Sequence, residues 1–473
     1  MNHADSISTT NHPAIVKTIF CAPLLALLTT APGIFAQDKV VMPSRMVASP
    51  LAADELFSPG KLWTLDADTL EKTWGPKGFR WSSTANKDSG TIRCDRMGNG
   101  PPSITAFGGK RNIGEIVFTL KNNKLSEVAI QIWNKGDAQN PIIPEATFKS
   151  IIEDWSSDLG GVIAPKFQDR GKDLSTAARA ERRLWMGTET LAQLEFSSSK
   201  TRKGVFDDQE GFQAEFIRLR LLPRAGGSAA IDASGQSRKR LADLRKGVVT
   251  EPNGDIVIND IPMVDQGEKG YCAVATASRV FQYLGVEVDM HEMAQVSGNT
   301  AGGGGTDPQL MEEALRRITI RYKARFQALQ EFDLTGRRYK SFQTKYNAMA
   351  RKMKKPELDT KNYIFMLRAM DSEVLREVAG KGAPFDKFMT SVRNAIDRGI
   401  PVLWGLELGI YPENGQKARQ IGGGHMRLIT GYNLKTSEII FSDSWGAGHE
   451  KKRMAAADAA AATQAMFVIT VGQ

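Results

Sequence analysis

The chain has 473 residues, of which 41% are hydrophobic and 24% are charged, and its formal net charge at pH 7 is +9. This length is sufficient for two or three domains with sizeable cores, and the ordinary composition argues against global disorder. The three cysteines are too few to serve as the framework of a chain this long, which excludes the disulfide-rich scaffolds.

Residues 1–36 have the pattern of a secretory signal peptide. Lys17 precedes the apolar stretch TIFCAPLLALLTTAPGIFA, and cleavage is expected after Ala36. Pro23 and Pro32 interrupt this stretch, which argues against a permanent membrane helix, and no later segment is long and apolar enough to span a bilayer. The sequence therefore predicts a secreted or periplasmic bacterial protein.

Removal of the signal peptide leaves Cys94 and Cys272 in the mature chain. An oxidising compartment would allow these two cysteines to form a disulfide. They fall in different predicted domains, however, so a structural disulfide is the less favoured of the two readings.

Residues 48–223 favour short strands separated by turn signals. Segments such as GEIVFTL and EVAIQIW alternate or cluster apolar residues, and Asn122 and Asn123 form a predicted hairpin turn between them. PEATFKSIIEDW predicts one helix, and the tryptophans of this region are expected in the core. The pattern predicts an α+β domain on an antiparallel sheet whose role the sequence does not indicate. Residues 224–254 are small, polar and basic, as in a linker.

Much of the positive charge lies in residues 316–355, which carry many Lys and Arg side chains. A solvated helical face is the favoured interpretation, and weak contact with an anionic surface or acidic partner is the alternative. The wider stretch from Arg321 to Ala379 is predicted to be a helical insertion. No nucleic-acid-binding motif accompanies these charges, so nucleic acid is not an expected partner.

Cys272 follows the segment DQGEKGY and is predicted to begin a helix. Gly285 is a natural helix end, and the dipole of a helix favours a thiolate at its N-terminus. A thiolate nucleophile also needs a base and a group that orients the base. The predicted helix has one apolar face, formed by Val274, Ala277, Ser278, Phe281 and Leu284.

Among the histidines of the mature chain, His425 is the candidate base. His291 lies in HEMAQ, which lacks the second histidine of a zinc motif, so it is expected to be structural and no metal site is predicted. His449 is expected in an exposed loop. His425 opens a predicted strand, and the next strand ends at Asp443, so antiparallel pairing would bring these two side chains together. Trp445 would shield their hydrogen bond from water.

These residues resemble the papain-like cysteine peptidases, and most closely the C39-like branch related to bacteriocin-processing peptidases. In that family, a glutamine shortly before the cysteine supplies an oxyanion-hole donor, and Gln266 matches it. The glycine-preceded His425 and the Asp443 before Ser-Trp-Gly match the family's other two catalytic positions. The resemblance covers residues 255–473. It departs from papain itself in having Ala273 after the cysteine, and Asp443 where papain has asparagine.

Glycines supply three candidate substrate contacts, namely Gly303, Gly304 and Gly424. The first two belong to AGGGGTDPQL, which lacks the ending of a phosphate loop. Thr306 or Asp307 before a proline also indicates a helix cap, and the helix-cap interpretation is favoured over a substrate-contacting role.

The predicted fold is therefore α+β, with an N-terminal antiparallel-sheet domain and a papain-like cysteine peptidase domain at 255–473 with a helical insertion. The predicted function is an exported thiol hydrolase that cleaves a peptide or protein substrate through Cys272, His425, Asp443 and Gln266, without a cofactor. A papain-fold acyltransferase or amidase, and a peptide-binding protein without turnover, are the alternatives.

Overall fold

Alternating apolar residues build the N-terminal half around a long antiparallel sheet. The structure is a computed structural model that describes residues 50–58, 60, 62–94, 104–135, 143–172, 180–201, 211–226, 238–267, 271–286, 288–297, 308–331, 337–358, 369–413 and 423–471. The predicted signal peptide at 1–36 and the glycines at 303 and 304 lie outside these residues.

The strands of this half are β1 (Leu51–Ala52), β2 (Phe79–Trp81), β3 (Thr91–Cys94), β4 (Ile104–Ala106), β5 (Arg111–Ile113), β6 (Glu115–Lys121), β7 (Lys124–Asn134), β8 (Phe167–Lys172), β9 (Glu181–Met186), β10 (Thr190–Thr201) and β11 (Gly211–Pro223). Eight of them form one antiparallel sheet in the order β2-β3-β6-β7-β11-β10-β9-β8. β4 joins the small strands β1 and β5. The helices are α1 (Ala67–Trp74) and α2 (Glu145–Val162).

The local predictions for this half hold at several positions. Asn122 and Asn123 both have positive φ, 52° and 57°, as the tight turn between β6 and β7 requires. α2 buries one face against the sheet, with Phe148, Ile152, Trp155 and Leu159 at helical spacing. Trp74, Trp155 and Trp185 are buried in the core, as expected for packing residues.

The C-terminal half forms a second core around another antiparallel sheet. Its strands are β12 (Val248–Thr250), β13 (Asp255–Ile258), β14 (Ala324–Glu331), β15 (Val402–Leu408), β16 (Gly423–Asn433), β17 (Glu438–Ser442), β18 (Lys452–Ala455) and β19 (Thr463–Val471). The sheet order is β12-β13-β16-β15-β19-β14, and β17 pairs with both β16 and β18. Its helices are α3 (Leu241–Leu244), α4 (Cys272–Tyr283), α5 (Met290–Ser297), α6 (Pro308–Arg321), α7 (Arg337–Met353), α8 (Ser372–Ala379), α9 (Gly382–Ile396) and α10 (Ala456–Ala462).

The stretch from Arg321 to Ala379 is not wholly helical, which corrects the predicted helical insertion. Residues Ala324–Glu331 form strand β14, which pairs with β19 in the main sheet. The reason is the period of the side chains. Arg325 and Gln327 are exposed while Phe326 and Ala328, which alternate with them, are half-buried, a pattern typical of a strand. α7 follows it and keeps the predicted solvated face, because Lys340, Lys345 and Arg351 are exposed while Tyr346 and Ala350 are buried.

Part of the predicted linker is built into the C-terminal core. Leu244 of α3 is buried there, and β12 pairs with β13. The predicted boundaries at 224–254 otherwise stay a prediction. Among the described residues, none of the helices combines the length and the apolarity needed to cross a bilayer.

The described residues of both halves lie in one compact unit, Val47–Gln473. Arg218 of β11 forms ion pairs of 2.9 Å with Asp289 and Glu292 beside and within α5. The Ser197 hydroxyl of β10 donates to the Gln295 side chain at 3.0 Å. The N-terminal sheet therefore contacts α5, the helix that follows the Cys272 helix.

Candidate active site

Cys272 begins α4, the central helix of the C-terminal half. Every residue of the helix except Gln282 is buried, not only the predicted face, because the helix lies against β16 on one side and α5 and α6 on the other. Gly285, just beyond the helix, has a φ of +77°, which fits the predicted helix end. The Cys272 side chain is 7% exposed, so the thiol sits in a water-poor setting at the positive end of the helix dipole.

His425 and Asp443 meet across the pair of strands β16 and β17. β17 ends at Ser442, whose partner in β16 is Leu428, and Asp443 follows it directly. His425 Nε2 lies 3.1 Å from Asp443 Oδ1, and both side chains are buried. His425 also hydrogen-bonds with the Cys272 thiol. Because Nε2 faces Asp443, Nδ1 is the ring nitrogen left for the sulfur.

The surroundings of Cys272 favour the thiolate. Burial alone would raise the pKa of the thiol. The hydrogen bond and charge of His425, together with the backbone amides of Met426 and Ala273, outweigh burial and lower the pKa of Cys272 below its ordinary value. Burial lowers the pKa of His425, but hydrogen bonds with Asp443 and Cys272 outweigh it and raise that pKa. The pair thus favours a thiolate beside an imidazolium.

Asp443 lies in a buried cluster of charges that sequence reasoning did not identify. Arg427 Nε donates to Asp443 Oδ1 at 2.6 Å, and Lys452 Nζ donates to Oδ2 at 2.8 Å. Glu413 completes the cluster, because both its oxygens accept from Arg427, at 2.6 and 3.1 Å. Burial raises the pKa of Asp443, but the Arg427 charge, the His425 hydrogen bond and the Lys452 charge outweigh it and hold that pKa well below its usual range.

Arg427 was the one member of this cluster with a recognisable sequence signal. It stands two residues after His425 in the same strand, and side chains two apart share one face of a sheet. Glu413 and Lys452 come from separate segments, and nothing in their local patterns points to Asp443.

Trp445 covers the histidine. Its ring stacks on His425 with centroids 4.6 Å apart and an interplanar angle of 27°. His449, expected in an exposed position, is instead half-buried, because its ring packs edge-on against Trp445 at 5.4 Å. The stacked indole limits the access of water to the bond between His425 and Asp443, as the sequence had suggested.

Arg279 ties the cysteine helix to the aspartate. From α4, it donates to the Asp443 carbonyl at 3.0 Å and to the Ser442 hydroxyl at 2.7 Å. Burial lowers the pKa of Arg279 to about 10, which leaves the side chain charged at neutral pH. Since Cys272 begins the same helix, these bonds fix the position of the thiol relative to Asp443.

Gln266 lies in a turn joined to the segment after Asp443. Its backbone amide donates to the Ser444 carbonyl at 2.9 Å, and its side chain is 9% exposed. Gly424 stands beside His425 in β16, opposite Glu407. A methyl group at position 424 would lie 3.9 Å from the Gln464 side chain, an ordinary contact, so the fold itself does not demand a glycine there.

His291, predicted to be structural, is 5% exposed in α5 and packs edge-on against Tyr271 at 5.9 Å. Cys94 and Cys272 are both free, so the disulfide considered from the sequence does not form between them. Among the described residues, no three His, Cys, Asp or Glu side chains are grouped so that they could hold a metal ion.

We expect the lowered thiol pKa to be visible in the rate at which iodoacetamide alkylates Cys272. The thiolate is present above the lowered pKa and is lost as the pH falls through it, so alkylation at neutral pH should be faster than that of an ordinary thiol. In His425→Ala the hydrogen bond and charge of the imidazole are lost, while burial and the backbone amides of Met426 and Ala273 remain, so the pKa of the thiol should rise and the rate at pH 7 should fall roughly tenfold. Peptide mapping in a Cys94→Ala background confirms the labelled site. Superimposable pH–rate curves for the two proteins would contradict the thiolate–imidazolium pair.

A cysteine at the start of a buried central helix, facing a histidine and a carboxylate on an antiparallel sheet, is the arrangement of the papain-like class. The family model described as Peptidase_C39 like family matches residues 258–466. This match confirms the resemblance of the C-terminal half to the C39-like branch, and it indicates a function related to cysteine peptidases. No curated protein matches the chain.

Proposed function

We propose that this protein is an exported cysteine peptidase that hydrolyses peptide bonds of a peptide or protein substrate. The observation that carries the proposal is the buried, hydrogen-bonded series of Cys272, His425 and Asp443, in which the pKa of the thiol is lowered and that of the imidazole is raised. Export is proposed from the sequence of residues 1–36 alone.

In the proposed mechanism the Cys272 thiolate attacks the carbonyl carbon of the scissile bond. The carbonyl oxygen becomes an oxyanion, for which the Gln266 side-chain amide and the Cys272 backbone amide are the proposed donors. The His425 imidazolium then donates its proton to the leaving amine, the C–N bond breaks, and a thioester remains on Cys272. His425 next accepts a proton from water, whose oxygen attacks the thioester and releases the carboxylic acid and the thiolate.

Asp443 is proposed to orient the imidazole and not to take up its proton. Its pKa lies well below the usual range because Arg427 and Lys452 stabilise the carboxylate, so it stays ionised throughout. A fixed anion at Nε2 keeps Nδ1 directed at the thiol and stabilises the imidazolium.

A thiol-directed activity probe with a peptide recognition element tests the proposal. We expect covalent labelling at Cys272, and hydrolysis of fluorescein-labelled casein by the same preparation. A peptide-binding protein without turnover would bind casein but release no fragments, and that outcome would overturn the proposal.

Gln266→Ala should lower kcat by roughly a hundredfold, about 3 kcal/mol, with little change in KM. The effect is confined to the transition state, because a ground-state carbonyl carries little charge. Gln266→Glu should be at least as slow, since a carboxylate matches the size of glutamine and has no N–H to donate. Kinetics on labelled casein give these values.

Alkylation of Cys272 by iodoacetamide forms no oxyanion and should proceed in both Gln266 variants at close to the wild-type rate. The backbone bond from residue 266 to the Ser444 carbonyl is available to any side chain, so the turn should persist. A parallel fall of turnover and alkylation would instead assign Gln266 a purely structural role.

A further inference from the structure

Two side chains of the N-terminal sheet reach the segment that carries Gln266 and Cys272. Arg93 of β3 donates from Nη1 to the Asp265 carbonyl at 2.5 Å, and the same nitrogen lies 3.5 Å from Asp265 Oδ1. Asn134 ends β7, and its Oδ1 accepts from the Tyr271 hydroxyl at 3.0 Å. Tyr271 is the residue immediately before Cys272. The contacts therefore lie directly beside each of these two residues.

The turn at 265–267 is shaped around the arginine. Gly267 has a φ of +61°, which favours glycine, and a β-carbon there would stand 2.8 Å from Arg93 Nη2, so a side chain at this position would displace the guanidinium. On the other side of the turn, a β-carbon on Gly446 would stand 2.8 Å from Asp265 Oδ2. Asp265 thus sits between the N-terminal sheet and the segment that follows Asp443.

Arg93 is itself held in place. Its Nη2 pairs with Glu115 Oε1 at 2.6 Å, and both side chains are buried, with 6% and 4% exposure. A buried ion pair costs desolvation and is weak evidence of a contribution to stability. What this pair does secure is a fixed guanidinium whose Nη1 is aimed at the Asp265 carbonyl.

We propose that Arg93 and Asn134 are positioning residues of the active site, and that the N-terminal sheet is an integral part of the catalytic centre. Arg93 holds the turn that presents Gln266, and Asn134 holds the start of the helix that presents Cys272. The expected effect of these residues on kcat rests on the peptidase activity proposed above, whereas their expected effect on the structure of the turn and the helix start does not.

The first test is a pair of variants compared with a matched control. Arg93→Ala removes the bond to Asp265 and leaves Glu115 buried, whereas Arg93→Lys keeps a charge for Glu115 and lacks the second donor. Ser197→Ala removes an interface hydrogen bond to Gln295 that is remote from the turn. Hydrogen exchange of the amides in 261–267 should accelerate in both Arg93 variants and not in Ser197→Ala. Unchanged exchange in a folded Arg93→Lys protein would overturn the proposal.

The second test is kinetic and asks whether Arg93 acts through Gln266. On labelled casein, Arg93→Ala should lower kcat roughly tenfold, while iodoacetamide alkylation of Cys272 stays within about twofold of wild type. In a Gln266→Ala background the same substitution should cost almost nothing further. If the losses of kcat in the two single variants multiply in the double variant, Arg93 does not act through Gln266, and that part of the inference is overturned.

Asn134 should behave differently, because it supports the thiol and not the oxyanion donor. Tyr271→Phe removes its hydrogen-bonding partner with little change of shape, and we expect turnover and alkylation of Cys272 to fall together, each by roughly threefold to tenfold. Wild-type alkylation in Tyr271→Phe would contradict this role. If the wild-type protein cleaves no casein at all, the proposed function fails, while the exchange and alkylation measurements still decide the positioning roles.

Discussion

Cys272→Ala should abolish peptide hydrolysis, with a fall in kcat of roughly 10³-fold or more, because it removes the sulfur on which the proposed acyl intermediate forms. The effect on stability should be small. The sulfur is buried in the C-terminal core, so its loss leaves a small cavity, but it also removes a charge-bearing group from a water-poor site. We expect the free energy of unfolding to change by about 1 kcal/mol or less. Turnover of labelled casein and urea denaturation measure the two effects.

Cys94→Ala is the matched control, since Cys94 is the other free, buried cysteine of the described chain. It lies in the N-terminal core, and its removal should leave turnover close to wild type while costing stability as a cavity does. Wild-type turnover by purified Cys272→Ala would refute the proposed nucleophile, and equal loss of turnover in both cysteine variants would point to a folding defect.

Those parts of the site that depend on local pattern were predictable from the sequence. A helix pattern directly behind Cys272 with Gly285 at its end placed the thiol at a helix start. Two strand patterns joined by a short turn placed His425 beside Asp443. Periodicity and turn residues report such short-range geometry because they act within a few residues of the chain.

Contacts between remote segments left no such trace. Arg93 and Asp265 are 172 residues apart, and an arginine in a strand carries no mark of the turn it will hold. Glu413 precedes β16 and Lys452 begins β18, so these two residues meet Arg427 and Asp443 only once the strands have paired in the folded sheet. β14 was mistaken for part of a helical region because it is a short run between two helices rich in Lys and Arg, α6 and α7, and its two-residue alternation was overlooked there.

The charge cluster also alters what Asp443 must do. Papain-like enzymes can use asparagine to orient the histidine, which by itself would make Asp443→Asn a mild change. Here the Asp443 carboxylate also forms ion pairs with Arg427 and Lys452, and Glu413 is the second anion of this cluster. Asp443 therefore has two separate roles. It orients His425, and its charge balances two buried cations. Asparagine can perform only the first role.

Asp443→Asn should therefore lower the free energy of unfolding by about 3–5 kcal/mol, the usual cost of leaving a buried charge without its partner. The folded fraction should keep substantial activity, because the asparagine oxygen still accepts the hydrogen bond from His425. Asp443→Ala should lose both stability and activity, because alanine neither carries the charge nor accepts the hydrogen bond. Glu438→Gln is the control: it removes a partly exposed partner of Arg453 and should cost less than about 1 kcal/mol. Urea denaturation at pH 7 gives all three values.

Removing the Lys452 charge should restore part of the free energy of unfolding that Asp443→Asn loses. In Asp443→Asn/Lys452→Met the pair of Arg427 and Glu413 is left balanced, so we expect the double variant to be about 1–3 kcal/mol more stable than the sum of the single effects predicts.

The pH dependence of the free energy of unfolding offers an independent check. Because the folded-state pKa of Asp443 is depressed, its stabilisation is complete above the ordinary value of 3.8 and is lost as the pH falls towards the folded value. The stability gap between wild type and Asp443→Asn should therefore narrow below about pH 4, and additive single effects with a gap independent of pH would show that Asp443 does not balance these cations.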